Sequence, residues 1–289
     1  MNEGTRPIWI VMPVLAGQEM TEAAIGDCLG QSVPTRILIV NQGAEDALRS
    51  RLERLAEEYS DRIFLWSHDP HLPSLSGTWN RALDFVWATG GQEALVVNND
   101  VRLHPRTVQV LSTVLVRTDS LFVSAIGVTK EQFDPLAGID LALTGSDGEP
   151  VALDKGGPDF SCFLISKQCH HEYRFDENFI PAFCEDLDYH RRLMLAGEGS
   201  RIFSVNLPYL HLASQTLKLV DPKRREAIER SIEQHSRAYY KRKWGGPVNL
   251  ETYWVPFDKG VPERRISGIE PTTPNLQTYY NRSTNGVSQ

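Results

Sequence analysis

Three groups of side chains in this 289-residue chain have types and spacing suited to chemistry. The first is Asn98-Asn99-Asp100, at the end of the apolar run Ala94-Leu95-Val96-Val97. That run is short and rich in β-branched residues, so it reads as a buried strand. Open α/β sheets bind ligands outside the carboxyl ends of their strands. Asp100 at such an end offers a hard oxygen ligand to Mg²⁺ or Mn²⁺, and Asn98, two residues away in an extended chain, faces the same side. A polar turn closing a strand is the plainer alternative, since Asn and Asp are ordinary turn residues. The second group is Glu185-Asp186-Leu187-Asp188, at the start of a predicted helix. Carboxylates there can deprotonate a hydroxyl, or simply complement the helix dipole. Glu185 and Asp186 are adjacent, which predicts that they do not both face one pocket. The helix start also favours an ionised Asp186 at neutral pH. The third group is Cys169-His170-His171. Neighbouring residues on a strand or helix point apart, and no second ligand pair accompanies them, so a zinc site is not expected.

The elements that must position these groups follow from periodicity. Residues 8–12 form a first apolar strand closed by Pro13, and residues 20–31 a helix. Residues 36–40 form a second strand ending in Asn41-Gln42-Gly43. A charged amphipathic helix over 44–59 carries Leu48, Leu52, Leu55 and Tyr59 at helical spacing, before a third strand at 62–66. Strands alternating with helices predict a parallel, doubly wound sheet. After a turn-rich loop, Ser74 or Ser76 can cap a helix running to about 89, whose free amides would attract an anion. Beyond the central strand come a helix at 105–117 and a strand at 121–128. A loop over 130–157 ends in Gly156-Gly157 and leads to a strand at 160–165. A helix over 184–197, a strand at 201–205 followed by His211, and a long polar helix over 222–243 complete the pattern. Residues 247–289 are rich in Pro, Asn, Ser and Thr and read as an extended or partly disordered extension.

Composition sets the outer limits. With 41% hydrophobic residues the chain can bury a sizeable core, and a net charge of −7 argues against broad nucleic-acid binding. The four cysteines lack a C-x-x-C pair and read as reduced, cytoplasmic residues. No run reaches 18 apolar residues, so no transmembrane helix is expected.

Taken together, and in order, these stretches resemble the family 2 glycosyltransferases. The resemblance rests on Pro13 after the first strand, Asn41-Gln42-Gly43 after the second, Trp79-Asn80-Arg81 on the following helix, and Asn98-Asn99-Asp100 in the family's Asp-x-Asp position. Phe175-Asp176-Glu177, Glu185-Asp186-Leu187-Asp188, His211 and Lys243-Trp244-Gly245 complete it. It covers roughly residues 8–246. The sequence departs from the family pattern at Asn98, which replaces the first Asp as in rhamnosyltransferase-like members. It departs again at Asn41-Gln42-Gly43, where many members carry an acidic pair that holds the nucleoside.

The resemblance implies a GT-A fold over 1–246: a Rossmann-like, mostly parallel sheet flanked by helices, with a C-terminal helix and then the extension 247–289. It implies inverting transfer of a sugar from a UDP-, dTDP- or GDP-sugar to an acceptor hydroxyl. Asp100 and His211 would hold Mn²⁺ or Mg²⁺, while Pro13, Gln42, Asn80, Asn98 and Gly157 would contact the donor. Asp186 would be the general base, with Glu185 or Asp188 holding the acceptor or the local geometry. The acceptor would be a glycan, or a hydroxylated base in DNA as in bacteriophage relatives, with Tyr279, Tyr280 and Arg282 available for stacking. Two other classes compete. A nucleotidyltransferase would carry a Gly-rich basic loop after its first strand, which Val14-Leu15-Ala16-Gly17-Gln18-Glu19 is not. An inactive sugar-nucleotide-binding module would not need Asp100, Asp186 and His211 together.

Overall fold

The computed structural model describes residues 6–67, 72–136, 149–150, 158–212 and 215–258. The N-terminal half alternates as predicted. Strand β1 (Ile8–Val14) is followed by α1 (Gln18–Leu29), β2 (Thr35–Asn41), α2 (Asp46–Glu58), β3 (Ile63–Ser67), α3 (Leu75–Ala88) and β4 (Glu93–Val97). These four strands pair in parallel, in the order β3-β2-β1-β4. Pro13 lies inside β1, not after it. Even-numbered residues of β1 bond toward β2, as Ile8 and Val14 do. Pro13 therefore faces the β4 side, where pairing has already stopped at Val11 and Val96, and its missing N–H leaves no ladder bond unmade.

The second half departs from the parallel expectation. It comprises β5 (Val101–Arg102), α4 (Thr107–Arg117), β6 (Phe122–Val128), the two-residue β7 (Glu149–Pro150), β8 (Cys162–Ser166) and α5 (Lys167–Glu172). Then come α6 (Glu185–Leu195), β9 (Ile202–His211), α7 (Gln215–Leu219) and α8 (Pro222–Ser231). Strand β8 inserts antiparallel between β4 and β6, and β9 pairs parallel to β6 but antiparallel to β5 and β7. A continuous apolar strand carries no sign of its direction, so this reversal is not readable from residues 160–165.

Side-chain alternation along the strands splits the core in two. Ile10, Met12, Ile37, Ile39, Leu95 and Val97 pack under α1, α2 and α4. Trp9, Val11, Leu38, Val40 and Val96 pack under α3, α5 and α6 on the other face. The helix caps are local. Ser74 Oγ accepts the Gly77 amide, and Asp221, ahead of Pro222, accepts the amides of Lys223 and Arg224.

The predicted long C-terminal helix is three pieces. After α8 comes a π-helical segment (Ile232–Arg237), then α9 (Ala238–Trp244). Gly245, at φ 73°, and Gly246 then reverse the chain. A Cβ on Gly246 would run into the Leu250 carbonyl, so this turn needs glycine. Residues beyond it pack back on the domain: the amides of Thr252 and Tyr253 donate to the Trp244 carbonyl, and Tyr240 Oη donates to Glu251 at 2.6 Å.

Helix α9 docks on α6 through buried charge. Lys243 Nζ is 2.8 Å from Asp176 Oδ2 and 2.6 Å from Asp188 Oδ1, and all three side chains have zero exposure. Burial alone would raise the Asp188 pKa, but Lys243 and Arg192 outweigh it and hold the carboxyl below its ordinary value. Replacing Lys243 by Met should destabilise the fold by ~3–5 kcal/mol, because it removes one partner of a buried ion cluster and leaves Asp176 without its paired cation. Urea denaturation at pH 7 measures this. The pH dependence should change as well. The Asp188 contribution is complete at neutral pH, starts to fall below the ordinary value of 3.8, and is gone below the lowered folded pKa. Wild type therefore weakens as the pH drops through that window, and Lys243→Met, which keeps only Arg192 at Asp188, should weaken less.

Candidate active site

The carboxyl ends of β1, β2 and β4 open into one cleft of about 790 Å³. Pro13 and Gln42 line its first part, Asn98 and Asp100 its floor, and His211 and Asp186 its far side. The chain turns at 99–100 instead of running on extended, so strand alternation does not sort these side chains as expected. Asn98, Asn99 and Asp100 all border the cleft, and the Asn99 amide is fixed by donating to Ala16 O and Thr21 Oγ1, both at 2.8 Å. Asp100 and His211 lie 111 positions apart in sequence; β5–β9 pairing unites them. Val101 stands opposite His211, and the Asp100 carbonyl accepts the Leu212 amide. Asp100 Oδ1 and His211 Nε2 are 3.6 Å apart. That is less than twice the ~2.1 Å of an Mg²⁺–oxygen bond, so one ion can reach both. The Asp100 carboxylate raises the His211 imidazole above its ordinary pKa, against the opposing effect of burial.

Among the described residues, no three of His, Cys, Asp and Glu converge on one point. Two protein ligands with open positions suit a divalent cation that a diphosphate and water also coordinate. The residues present fit such an ion. They do not form a closed structural metal site, and Cys169-His170-His171 is not one either. Cys169 Sγ lies 3.3 Å from Tyr189 Oη, and His170 is buried and bonded to Trp87 and Asn80.

The acidic turn at the start of α6 corrects two expectations. Glu185 and Asp186 both border the cleft. The cleft meets the end of the helix and not its flank, so successive first-turn side chains open onto the same space. The chain enters α6 through Phe183 and Cys184, at φ 78° and 69°. Left-handed conformations of bulky residues cost on the order of 1 kcal/mol each and gather at functional sites. Nor does the helix start dominate ionisation. Burial raises the Asp186 pKa above its ordinary value, and the Leu187 amide at 2.8 Å offsets this only in part. Burial and the neighbouring Asp186 raise Glu185 further.

Of the other expected residues, Asp188 takes the second of its two expected roles, fixing local geometry, and Asn80 stands differently from expectation. Asp188 does not reach the cleft, because both its oxygens are taken by Lys243, Trp244 and Arg192. Asn80 is also interior. Its Nδ2 donates to Phe175 O and Glu177 Oε1, and its Oδ1 accepts the Phe175 amide, which locks α3 to the chain ahead of α6. A buried hydrogen-bonding role and a ligand-binding one are indistinguishable in sequence. Gly157, like Tyr279, Tyr280 and Arg282, lies outside the described residues.

Two polar residues of the site escaped the sequence reading. Arg224 lines the cleft, and its guanidinium donates to Gly43 O at 2.7 Å and Gln42 O at 3.2 Å, clamping the loop after β2. Gln42 Nε2, in the same region, is buried without a partner. Asp159 lies just ahead of β8, where its Oδ1 accepts the Ser161 amide, and its charge helps to raise both Asp186 and His211. A Pro-Asp pair after glycines looks like any turn; only β8 pairing with β4 carries it to the site. Beyond Asp186 the cleft turns apolar, lined by Phe183, Leu187, Ile228, Ile232, Tyr240 and Val248.

Solved structures share this architecture. The mannosyltransferase PcManGT from Pyrobaculum calidifontis, in complex with GDP-Man and Mn²⁺, superposes with a TM-score of 0.57 over 99% of this chain and 77% of its own, at 13% identity. S. aureus TarS gives 0.54 over 85% of this chain, at 12% identity. Glucosyl-3-phosphoglycerate synthase from Mycobacterium tuberculosis, with Mn²⁺, UDP and phosphoglyceric acid, gives 0.52 over 79% of this chain and 76% of its own, at 17% identity.

The fold is GT-A.

The chain spans 46% of TarS. No protein-family model matches the sequence, and no curated protein is similar to it. The GT-A sheet places Asp100, His211 and Asp186 around one cleft. No helix among the described residues is long and apolar enough to cross a membrane.

Glu185 offers a direct stability test of this GT-A site. Its raised pKa means that ionising it opposes folding. Glu185→Gln should match wild type below the ordinary glutamate value of 4.5 and become progressively more stable than wild type as the pH rises above it. Thermal melts at pH 4 and pH 8 measure the difference.

Proposed function

We propose that the protein is a divalent-metal-dependent, inverting glycosyltransferase that moves a sugar from a nucleotide-sugar to an acceptor hydroxyl. The observation that carries the reading is the meeting of Asp100 and His211 across β5–β9, with Asp186 facing them in the same cleft. The GT-A fold and the nucleotides and Mn²⁺ bound by PcManGT and the synthase support it. We place the activity in the cytoplasm, a setting that suits the four free, buried cysteines.

The chain's residues divide the work. Gln42 lines the nucleoside end of the cleft, and Arg224 holds the Gln42 loop in place. The diphosphate lies along Asn98 and Asp100. Asp100 and His211 would hold Mn²⁺ or Mg²⁺, which would supply positive charge facing the diphosphate. The acceptor enters over the apolar side and places its hydroxyl at Asp186. Its oxygen attacks the anomeric carbon from the face opposite the diphosphate, and the C–O bond to phosphate breaks. The electron pair leaves with the nucleoside diphosphate, and Asp186 takes the hydroxyl proton. A carboxylate raised by burial is a better base near neutral pH than an exposed one, so its environment favours this role. The competing nucleotidyltransferase and inactive-module readings predict no glycoside product from a nucleotide-sugar and acceptor panel followed by mass spectrometry.

Two variants separate donor from acceptor chemistry. Asp100→Ala should remove the Mn²⁺-dependent thermal shift given by UDP, dTDP or GDP while melting cooperatively. Full turnover of this variant in chelator-treated buffer would refute the metal assignment. Asp186→Asn should bind nucleotide-sugar normally and transfer ~10²–10⁴-fold more slowly. The wild-type rate should fall on acidification with an apparent pKa above the ordinary aspartate value, a limb that Asp186→Asn should lack. Normal transfer by Asp186→Asn would remove it as the base.

A further inference from the structure

Beyond Asp186, Leu187, Ile228, Ile232 and Val248 give the cleft an apolar wall. Two polar side chains on it, Tyr240 and Arg237, are already engaged with Glu251 and Glu233, each at 2.6 Å. A glycan or a nucleic acid lying there would lose hydration from its hydroxyls or charges without replacing it. A hydrocarbon body has no such loss and gains by burial.

The wall continues into the turn 247–250, where the Leu250 amide donates to the Pro247 carbonyl. Pro247 and Val248 line the cleft, whereas Leu250 is 70% exposed. Trp254 follows at 83% exposure. Both belong to a segment fixed on the domain: Tyr253 packs on Gly245, and its amide donates to the Trp244 carbonyl at 3.0 Å. Helix α9, which ends at that point, carries Lys241, Arg242 and Lys243 in its last turn and no acid. Lys243 turns inward, while Lys241 and Arg242 are exposed. The whole segment 221–246 has eight Lys or Arg against four Asp or Glu, in a chain of net charge −7. Leu and Trp held in water beside Lys and Arg are the chemistry of attachment to an anionic lipid surface.

We propose that the end of α9 and residues 247–254 rest on an anionic bilayer, and that the apolar wall takes the hydrocarbon chain of a lipid whose hydroxyl is the acceptor. Leu250 and Trp254 enter the headgroup region, and Lys241 and Arg242 meet anionic headgroups. The lipid's chain lies against Val248, Ile232 and Ile228, with its hydroxyl at Asp186. The identity of the acceptor rests on the glycosyltransferase reading; attachment to the surface does not.

Sedimentation of the full chain with phosphatidylcholine vesicles, with and without phosphatidylserine, tests the surface without metal or nucleotide. The protein should partition onto the anionic vesicles and be released as NaCl is raised. Leu250→Ser with Trp254→Ser should melt like wild type and partition at least about tenfold more weakly. Lys241→Gln with Arg242→Gln should weaken partitioning severalfold. Calorimetry with maltose, and with dodecyl maltoside below its micelle concentration, tests the wall. Wild type should bind dodecyl maltoside at least about tenfold more tightly than maltose, and Ile228→Ser should reduce that preference severalfold. Equal partitioning onto neutral and anionic vesicles, or onto neither, overturns the surface, as does a Leu250→Ser, Trp254→Ser variant that partitions like wild type. Binding of duplex DNA in place of vesicles, lost in Lys241→Gln with Arg242→Gln, assigns the tip to nucleic acid and overturns it too. Equal binding of maltose and dodecyl maltoside, or a preference that Ile228→Ser leaves intact, overturns the lipid acceptor. If vesicles bind but no nucleoside diphosphate does with Mn²⁺, the glycosyltransferase reading falls and the surface stands.

Discussion

Lys243 has no exposed surface, and its ammonium group sits between two carboxylates that have none either. Everything around the acidic turn of α6 depends on that arrangement. Taking three ions out of water is expensive, and only close pairing with full hydrogen bonding offsets it. The pairing is complete on the Asp188 side: Lys243 and Trp244 Nε1 share Oδ1, and Arg192 Nε takes Oδ2 at 2.8 Å. Asp176 is held by Tyr239 Oη and by Lys243, each at 2.8 Å. Arg191 lies over the Trp244 ring at 4.8 Å and donates to the Tyr253 carbonyl. The last helix, the middle of the chain and the segment after Gly246 are thereby joined at one point. With Asp188 committed inward, Glu185 and Asp186 are the acids of that turn left for the cleft.

The placement of those two acids carries its own strain. Phe183 and Cys184 adopt left-handed backbone just before them, and Glu185 keeps an unpartnered buried oxygen. These features oppose folding locally. The buried ion cluster lies on the far side of the same helical turn and opposes that tendency. A stable interior thus supports an unfavourable rim, which is the usual distribution where a site needs groups held against their own preference.

What the sequence revealed follows the range of the forces involved. Strand ends and the Ser74 cap were legible because they depend on neighbours within a few residues. The long helix over 222–243 was legible as helical, but its π-segment was not. The antiparallel entry of β8 was hidden, since a buried strand reads alike in either direction. Asp100 and His211 meet only through the register of β5 with β9; periodicity gave no hint of it, and the family resemblance alone paired them. Asn80 was misread for the same reason, and for Asp188 the sequence left a ligand role and a structural one open. A buried Asn or Asp shows its type in the sequence but not its partner. Arg224 and Asp159 were missed because their partners are carried to them by the tertiary fold.

The turn at Gly245–Gly246 and the cluster it terminates also bear on the order of events at the ribosome. Asp176 and Asp188 emerge more than fifty residues before the lysine that neutralises them. Until Lys243 and Trp244 have left the exit tunnel, burying that pair of acids is unfavourable, and α6 has no reason to settle in its final seat. The parallel half of the sheet can assemble on its own contacts during synthesis, whereas the turn bearing Asp186 has to wait. The nascent protein would therefore carry the parallel half of the sheet well before the turn bearing Glu185 and Asp186 is seated, and the cleft would be completed in one late step.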